Sequence, residues 1–220
     1  MSLLATMRLL AQRYLPTSVL PPSHAYWEAR YATGGTSGPG SYGDLARWKA
    51  ETLNALVAQE RVESVVEFGC GDGAQLALAD YPRYLGLDIS PTVVARCRTR
   101  FAGDPTRQFE VYAPGAESPP VPVADLALSL DVIYHLIEDD VFERYMRDLF
   151  ASARRLVAIY SSNDERADPA PHVRHRIFTT WVATHAPAWR LYAHVRNPHA
   201  GRTDLGRAAP LDFCIYERGV

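Results

Sequence analysis

Residues 67–73 read EFGCGDG and follow directly on Val65 and Val66. Three glycines stand at alternate positions, Gly69, Gly71 and Gly73. Glycine has no Cβ, so a chain that spends glycines this way needs left-handed backbone or a very close approach to something bound. A β-branched apolar run ending in such a corner and opening into an alanine- and leucine-rich stretch predicts strand, tight turn and helix. That unit forms the ligand corner of an open α/β sheet.

Outward from this corner the pattern alternates. Strands are predicted at SVVEF (64–68), YLGLDI (84–89), QFEVYA (108–113), ADLALSL (124–130) and RLVAIYS (155–161). Helices are predicted at GAQLALAD (73–80), SPTVVARCRTRF (90–101), VFERYMRDLFASA (141–153) and IFTTWVATHAP (177–187). Ser90 is the expected N-cap and Pro91 the first helical residue of its helix. WRLYAHVR (189–196) and LDFCIYER (211–218) have no helix-forming spacer between them and read as an antiparallel pair. The fold class is therefore α/β, a Rossmann-like doubly wound sheet, mostly parallel with an antiparallel C-terminal strand pair. Ligands of such sheets bind beyond the carboxyl ends of the strands, here just after residues 68, 89, 113, 130 and 161.

Ahead of the first strand, Leu3, Met7, Leu10 and Tyr14 recur at helical spacing, and Pro16, Pro21 and Pro22 end that helix. AYWEARY then leads into TGGTSGPGSYG (33–43), a mobile glycine-rich loop, and the whole of YWEARYATGGTSGPGSYG (26–43) reads as a lid whose glycines allow closure over a bound ligand. Residues 44–60 form a helix with Leu45, Trp48, Leu53, Leu56 and Val57 on one side. The division is a helix and lid over 1–43 and a main domain over 44–220. A formal net charge of -2, with 22% charged residues, carries no footprint for nucleic acid or anionic membrane. The first fifteen residues include Arg8 and Arg13 and read as neither a signal peptide nor a span. Cys70, Cys97 and Cys214 are scattered and odd in number, which points to a reducing, cytoplasmic setting.

The glycine corner alone is ambiguous. Gly69, Gly71 and Ala74 with Asp88 also satisfy the dinucleotide fingerprint and its ribose-binding acid, so a nicotinamide-dependent oxidoreductase is one reading. Against it stand Glu67 and Asp72, two carboxylates beside the place where a pyrophosphate would want bare amides and a helix dipole. A ligand with an amino acid head and a sulfonium removes the conflict. VVEFGCGDGAQL, YLGLDIS and ADLALSLDVIYHL together resemble the class I S-adenosylmethionine-dependent methyltransferases over about residues 45–161.

That resemblance implies S-adenosyl-L-methionine as cofactor, S-adenosyl-L-homocysteine as product, and residue roles along the strand ends. Gly69, Cys70 and Gly71 pass under the methionyl part, and Glu67 anchors its amino end. Asp88 takes the ribose hydroxyls, Ile89 covers adenine, and Leu130 and Asp131 face the transferable methyl. Many relatives carry an acid for the adenine amino group after the third strand. None occurs here before Glu117, which leaves the backbone near Ala113 or Glu117 itself. Lys49, the sole lysine among 23 basic residues, is a candidate for the cofactor carboxylate.

Methyl transfer to a hydroxyl also needs a base, and His135, five residues past the fourth strand, is the first candidate. His172 and His175 are alternatives. Tyr134, Asn163, Arg174 and Arg176 are the expected substrate-binding residues, since arginine reads anionic and hydroxyl-rich groups by paired hydrogen bonds. The spacing of His172, His175 and Asp168 sits in a proline-flanked loop and reads as no metal site. The function expected is O-methylation of a polar small molecule, a sugar or specialised metabolite, by analogy with small bacterial methyltransferases in natural product biosynthesis. N-methylation is the alternative, as is a non-catalytic subunit that only binds the cofactor. Partners are a small-molecule substrate, with no nucleic acid and no membrane. A homodimer stays open.

Overall fold

The computed structural model describes residues 21–112, 122–200 and 211–219. Seven strands are present in these residues: β1 (Val65–Phe68), β2 (Tyr84–Asp88), β3 (Arg107–Val111), β4 (Ala124–Leu130), β5 (Ala153–Ser161), β6 (Trp189–Val195) and β7 (Asp212–Arg218). They form one sheet in the order β3-β2-β1-β4-β5-β7-β6. The pairs from β3 through β5 are parallel, whereas β7 is antiparallel to both β5 and β6.

All four residues of β1, VVEF, are buried, as a central parallel strand covered on both faces requires. The helices are α1 (Ser23–Ala32), α2 (Gly43–Gln59), α3 (Pro91–Arg100), α4 (Asp139–Ala151) and α5 (Phe178–His185). On one face Val66, Phe68 and Ile159 pack with Phe142, Met146 and Leu149 of α4 and Phe178 and Val182 of α5. On the other face Val65, Leu126 and Leu128 pack with Leu53, Leu56 and Val57 of α2 and Val94 and Cys97 of α3. The chain runs outward from β1 to β3 and then crosses back to β4. The crevice at the carboxyl ends of β1 and β4 is thus the topological switch point.

Local chemistry sets the start of one helix. Ser90 Oγ accepts from the Val93 amide at 3.2 Å and Pro91 occupies the first turn, so α3 starts where predicted. One element departs from prediction. Residues 73–80 form no α-helix, only a 3₁₀ turn at Leu76–Leu78. Gly73 sits at φ +73, and Pro82 follows closely, leaving a segment too short to nucleate a helix. Asn54 on α2 satisfies the freed backbone instead, donating to Leu78 O at 3.1 Å and accepting from the Asp80 amide at 3.0 Å.

The AYWEARY stretch lies within α1, and the glycine-rich segment contains a 3₁₀ turn at Pro39–Ser41 before α2 begins at Gly43. The helix expected around Leu3–Tyr14 and the adenine contacts expected near Ala113 and Glu117 lie outside the described residues. Among the described residues no helix is long and apolar enough to cross a membrane.

Candidate active site

A cavity opens at the switch point, bounded below by the strand ends and above by α1 and the segment that follows it. Its floor is the glycine corner. Gly69 and Gly71 take φ +83 and +56, a region that penalises any side chain. A Cβ on Gly69 would lie 2.4 Å from Val132 Cγ2, and one on Gly71 would lie 2.2 Å from Ser37 Oγ. Cys70, buried between them, also lines the cavity.

Two buried carboxylates face this floor. Glu67 is 3% exposed and accepts from the Tyr84 hydroxyl at 2.6 Å. Burial pushes its carboxyl up to about 7 despite that bond and the nearby Lys49 ammonium. Asp88, at the tip of β2, accepts from the Gly71 amide at 2.9 Å and the Ser90 amide at 3.0 Å. Burial outweighs those amides and raises it to about 6. The same carboxylate therefore braces the glycine corner and lines the cavity, and each oxygen keeps a lone pair for a ligand. Ile89 and Leu130 line the walls as expected, joined by Tyr112 and Tyr145.

Asp131 follows β4 in left-handed backbone at φ +59, a conformation that aspartate tolerates better than most residues. Its Oδ2 meets Lys49 Nζ at 2.6 Å and its Oδ1 accepts from the Tyr134 hydroxyl at 2.9 Å. Lys49 is 1% exposed and stands 5.1 Å from the centre of the Tyr160 ring. The ammonium expected to hold a cofactor carboxylate is thus already paired inside the protein.

His135 lies on a 3₁₀ turn at Ile133–His135 and reaches the cavity wall. Its Nδ1 donates to the His172 carbonyl at 3.1 Å, which fixes the tautomer and leaves Nε2 bare. Burial lowers its pKa to about 4. The imidazole is clamped by rings: Trp27 meets it edge-on at 4.9 Å, and His172 stacks on it at 5.5 Å. Tyr26 of α1 stacks in turn on His172 at 4.3 Å. Burial and the Arg30 charge lower the His172 pKa as well.

The other expected residues are not brought to this cavity. His175 is buried between Ser162 Oγ, 2.6 Å from Nδ1, and Asp168 Oδ2, 3.4 Å from Nε2. Asn163 Oδ1 accepts from the amide and hydroxyl of Thr179, bracing the first turn of α5. Arg174 and Arg176 converge on Asp139 at 2.9 and 3.1 Å and donate to carbonyls of residues 136 and 137. Their guanidinium donors tie two loops together. Among the described residues no group of three or more His, Cys, Asp or Glu side chains converges as a metal site would require.

The roof comes from the 26–43 stretch, of which the sequence singles out no individual residue. Trp27, Tyr31 and Ser37 all line the cavity from above. Glu28 on α1 accepts from the hydroxyls of Ser90 and Thr92 at the start of α3, where a helix dipole favours negative charge. Those hydrogen bonds hold its carboxyl below the usual range. A carboxylate inside an aromatic helix was the available signal, but its partners lie 62 and 64 residues away.

Comparison with known proteins agrees with this geometry. Residues 66–159 match the family model described as a methyltransferase domain. EEF1A lysine methyltransferase 4 of Mus musculus is 34% identical over 89 residues, which is 39% of this chain and 34% of that protein. The match thus spans about a third of that relative's length. Among solved structures, N-methyltransferase NodS from Bradyrhizobium japonicum WM9, in complex with S-adenosyl-L-homocysteine, superimposes with a TM-score of 0.70 at 15% identity, covering 90% of this chain and 99% of that one. Magnesium protoporphyrin IX methyltransferase from Synechocystis PCC 6803 gives 0.64 at 14% identity over 89% and 98% of the two chains. Residues 66–159 are thus similar to a methyltransferase domain, and the sheet that carries them has the Rossmann-like fold of those solved structures.

Proposed function

We propose that this chain is an enzyme that transfers a methyl group from S-adenosylmethionine to a hydroxyl of a polar small molecule, a sugar or a specialised metabolite. Residues 23–43 act as a lid over the domain that begins at 44. The observation that carries this reading is His135: its Nε2 is bare, and it shares one cavity with the glycine corner and Asp131.

The residues fit the cofactor. The corner glycines line the cavity in left-handed backbone that a side chain would not adopt, Asp88 offers lone pairs to a ribose diol, and Ile89 and Tyr112 offer apolar surface to a purine. Glu67 offers a carboxylate to an ammonium. When bound, the cofactor supplies an electrophilic methyl on a sulfonium. The chain's own part is to hold the acceptor oxygen in line, worth on the order of 7–11 kcal/mol, and to receive its proton at His135 Nε2, worth about 10²–10⁴ in rate. Trp27 and Tyr31 exclude water from above. Arg174 and Arg176, being engaged with Asp139, leave acceptor recognition to Trp27, Val132, His135 and Leu136.

The test is incubation of the purified protein with methyl-labelled S-adenosylmethionine and a fractionated cell extract. Label is expected in the small-molecule fraction, on oxygen. Label in the protein or RNA fraction overturns the acceptor class. Calorimetric binding of NADH in place of S-adenosylhomocysteine overturns the cofactor.

A further inference from the structure

We propose that Gln75 fixes the amino end of the cofactor's methionyl chain, an inference that rests on the cofactor reading above. Gln75 is 7% exposed and lines the cavity together with Lys49, Glu67 and Gly69. Its Nε2 donates to the Ala46 carbonyl at 3.0 Å. That bond settles which end of the amide points where, since the flipped amide would set two carbonyl oxygens against each other. Oε1 is left buried with no hydrogen-bond partner among the described residues.

A buried amide oxygen without a donor is costly, and proteins rarely leave one so. Here the surroundings do not supply the donor: the one ammonium lining this end, Lys49, is held by Asp131 at 2.6 Å. A ligand must bring it. The neighbouring Glu67 carboxylate makes this end of the cavity rich in acceptors, so it favours a donor-only, positively charged group over a phosphate or carboxylate. A primary ammonium meets that description, with one N–H for Gln75 Oε1 and another for Glu67. Gln75 also sits on a fixed scaffold. Gly73, two residues before it, takes φ +73, and a Cβ there would come within 2.7 Å of Phe101.

The experiment compares S-adenosylhomocysteine with 5′-methylthioadenosine, which keeps the adenosyl thioether and lacks the amino acid, by calorimetry on the whole protein. Gln75→Met, similar in shape and without the carbonyl, is expected to weaken S-adenosylhomocysteine about tenfold while 5′-methylthioadenosine stays within about twofold. Gln75→Glu is expected to retain S-adenosylhomocysteine binding at pH 5, in its protonated form, whose hydroxyl still donates to the Ala46 carbonyl while the other oxygen accepts. The 5′-methylthioadenosine arm also reports that the variants are folded. Unchanged S-adenosylhomocysteine affinity in Gln75→Met, or an equal loss for both ligands, overturns the assignment of Gln75 alone. Failure of the wild-type protein to bind S-adenosylhomocysteine overturns the cofactor reading and this inference with it.

Discussion

Ser37 and Asp72 hold each other twice. The Ser37 amide donates to Asp72 Oδ2 at 2.9 Å, and the Ser37 hydroxyl accepts from the Asp72 amide at 2.8 Å. The Tyr42 hydroxyl adds a third bond to the same carboxylate at 2.7 Å. The acid that argues against a pyrophosphate at the glycine corner is therefore a latch for the segment above it. Burial raises the pKa of Asp72, but the bonds from Ser37, Tyr42 and Ala74 outweigh it and hold the carboxyl below its ordinary range.

Asp72→Ala removes the acceptor for all three donors. Amide hydrogen exchange in residues 33–42 is expected to accelerate at least tenfold, with α4 and β5 unchanged, as read by mass spectrometry of peptic fragments. Charge-assisted bonds of this kind contribute about 1.5–3 kcal/mol. Unchanged exchange in that loop would show that Asp72 does not hold it.

Glu67 makes stability depend on pH in the less usual direction for an acid. Its folded pKa of about 7 lies above the ordinary glutamate value of 4.5, so between those values the folded state keeps a proton that the unfolded chain releases. Stability from this group is full below about pH 4.5 and is lost as pH rises through 7. Glu67→Gln abolishes the effect while still accepting from Tyr84. Thermal melts at pH 5 and pH 8 are expected to show the variant gaining on wild type at the higher pH, by on the order of 1–3 kcal/mol. A constant difference between the two pH values contradicts the buried, uncompensated carboxyl.

His135 is predicted to act as base with an unusual profile. Burial holds its pKa near 4, so the imidazole is already neutral throughout pH 5–8 and His135 itself adds no step to the kcat profile there, any step near 6 or 7 belonging to Asp88 or Glu67 in the same cavity. His135→Gln is expected to lower kcat by about 10²–10⁴ with the Kd for S-adenosylhomocysteine within twofold of wild type. A normal kcat in this variant removes the base role from His135.

Lys49 and Asp131 stand or fall together. Lys49→Met leaves a mostly buried aspartate uncompensated and is expected to destabilise the protein by about 3 kcal/mol in urea titrations. Adding Asp131→Asn to it is expected to restore most of the loss. Additive destabilisation in the double variant would show that the pair is not coupled.

Much of the sheet was legible because its signals are local. Val65 and Val66 before a glycine turn, Ser90-Pro91 at a helix start and the mostly apolar run of β4 each carry their own instruction. Asp88 could be placed at the floor of the cavity for the same reason: it is the polar end of an apolar strand. Lys49 reads in the sequence as a ligand-binding lysine because the carboxylate that pairs with it lies 82 residues away. Arg174 and Arg176 looked like substrate binders because Asp139, which engages both, precedes them by more than thirty positions and shares no pattern with them. The short 3₁₀ turn at Leu76–Leu78 was hidden by helix-forming residues whose backbone Asn54 captures. Which residues of the 26–43 stretch reach the cavity was hidden, because aromatic residues flanked by glycine and proline encode no contact of their own.

The placement of β7 between β5 and β6 has a consequence for biosynthesis. β6 pairs with β7 and with no other described strand, although β6 leaves the ribosome first. Until residues 212–218 emerge, the nascent 189–195 segment carries Leu191 and Tyr192 on an unclaimed β-edge, the kind of surface that invites wrong partners during translation. Slowing elongation between those two segments should lengthen the window in which chaperones are needed.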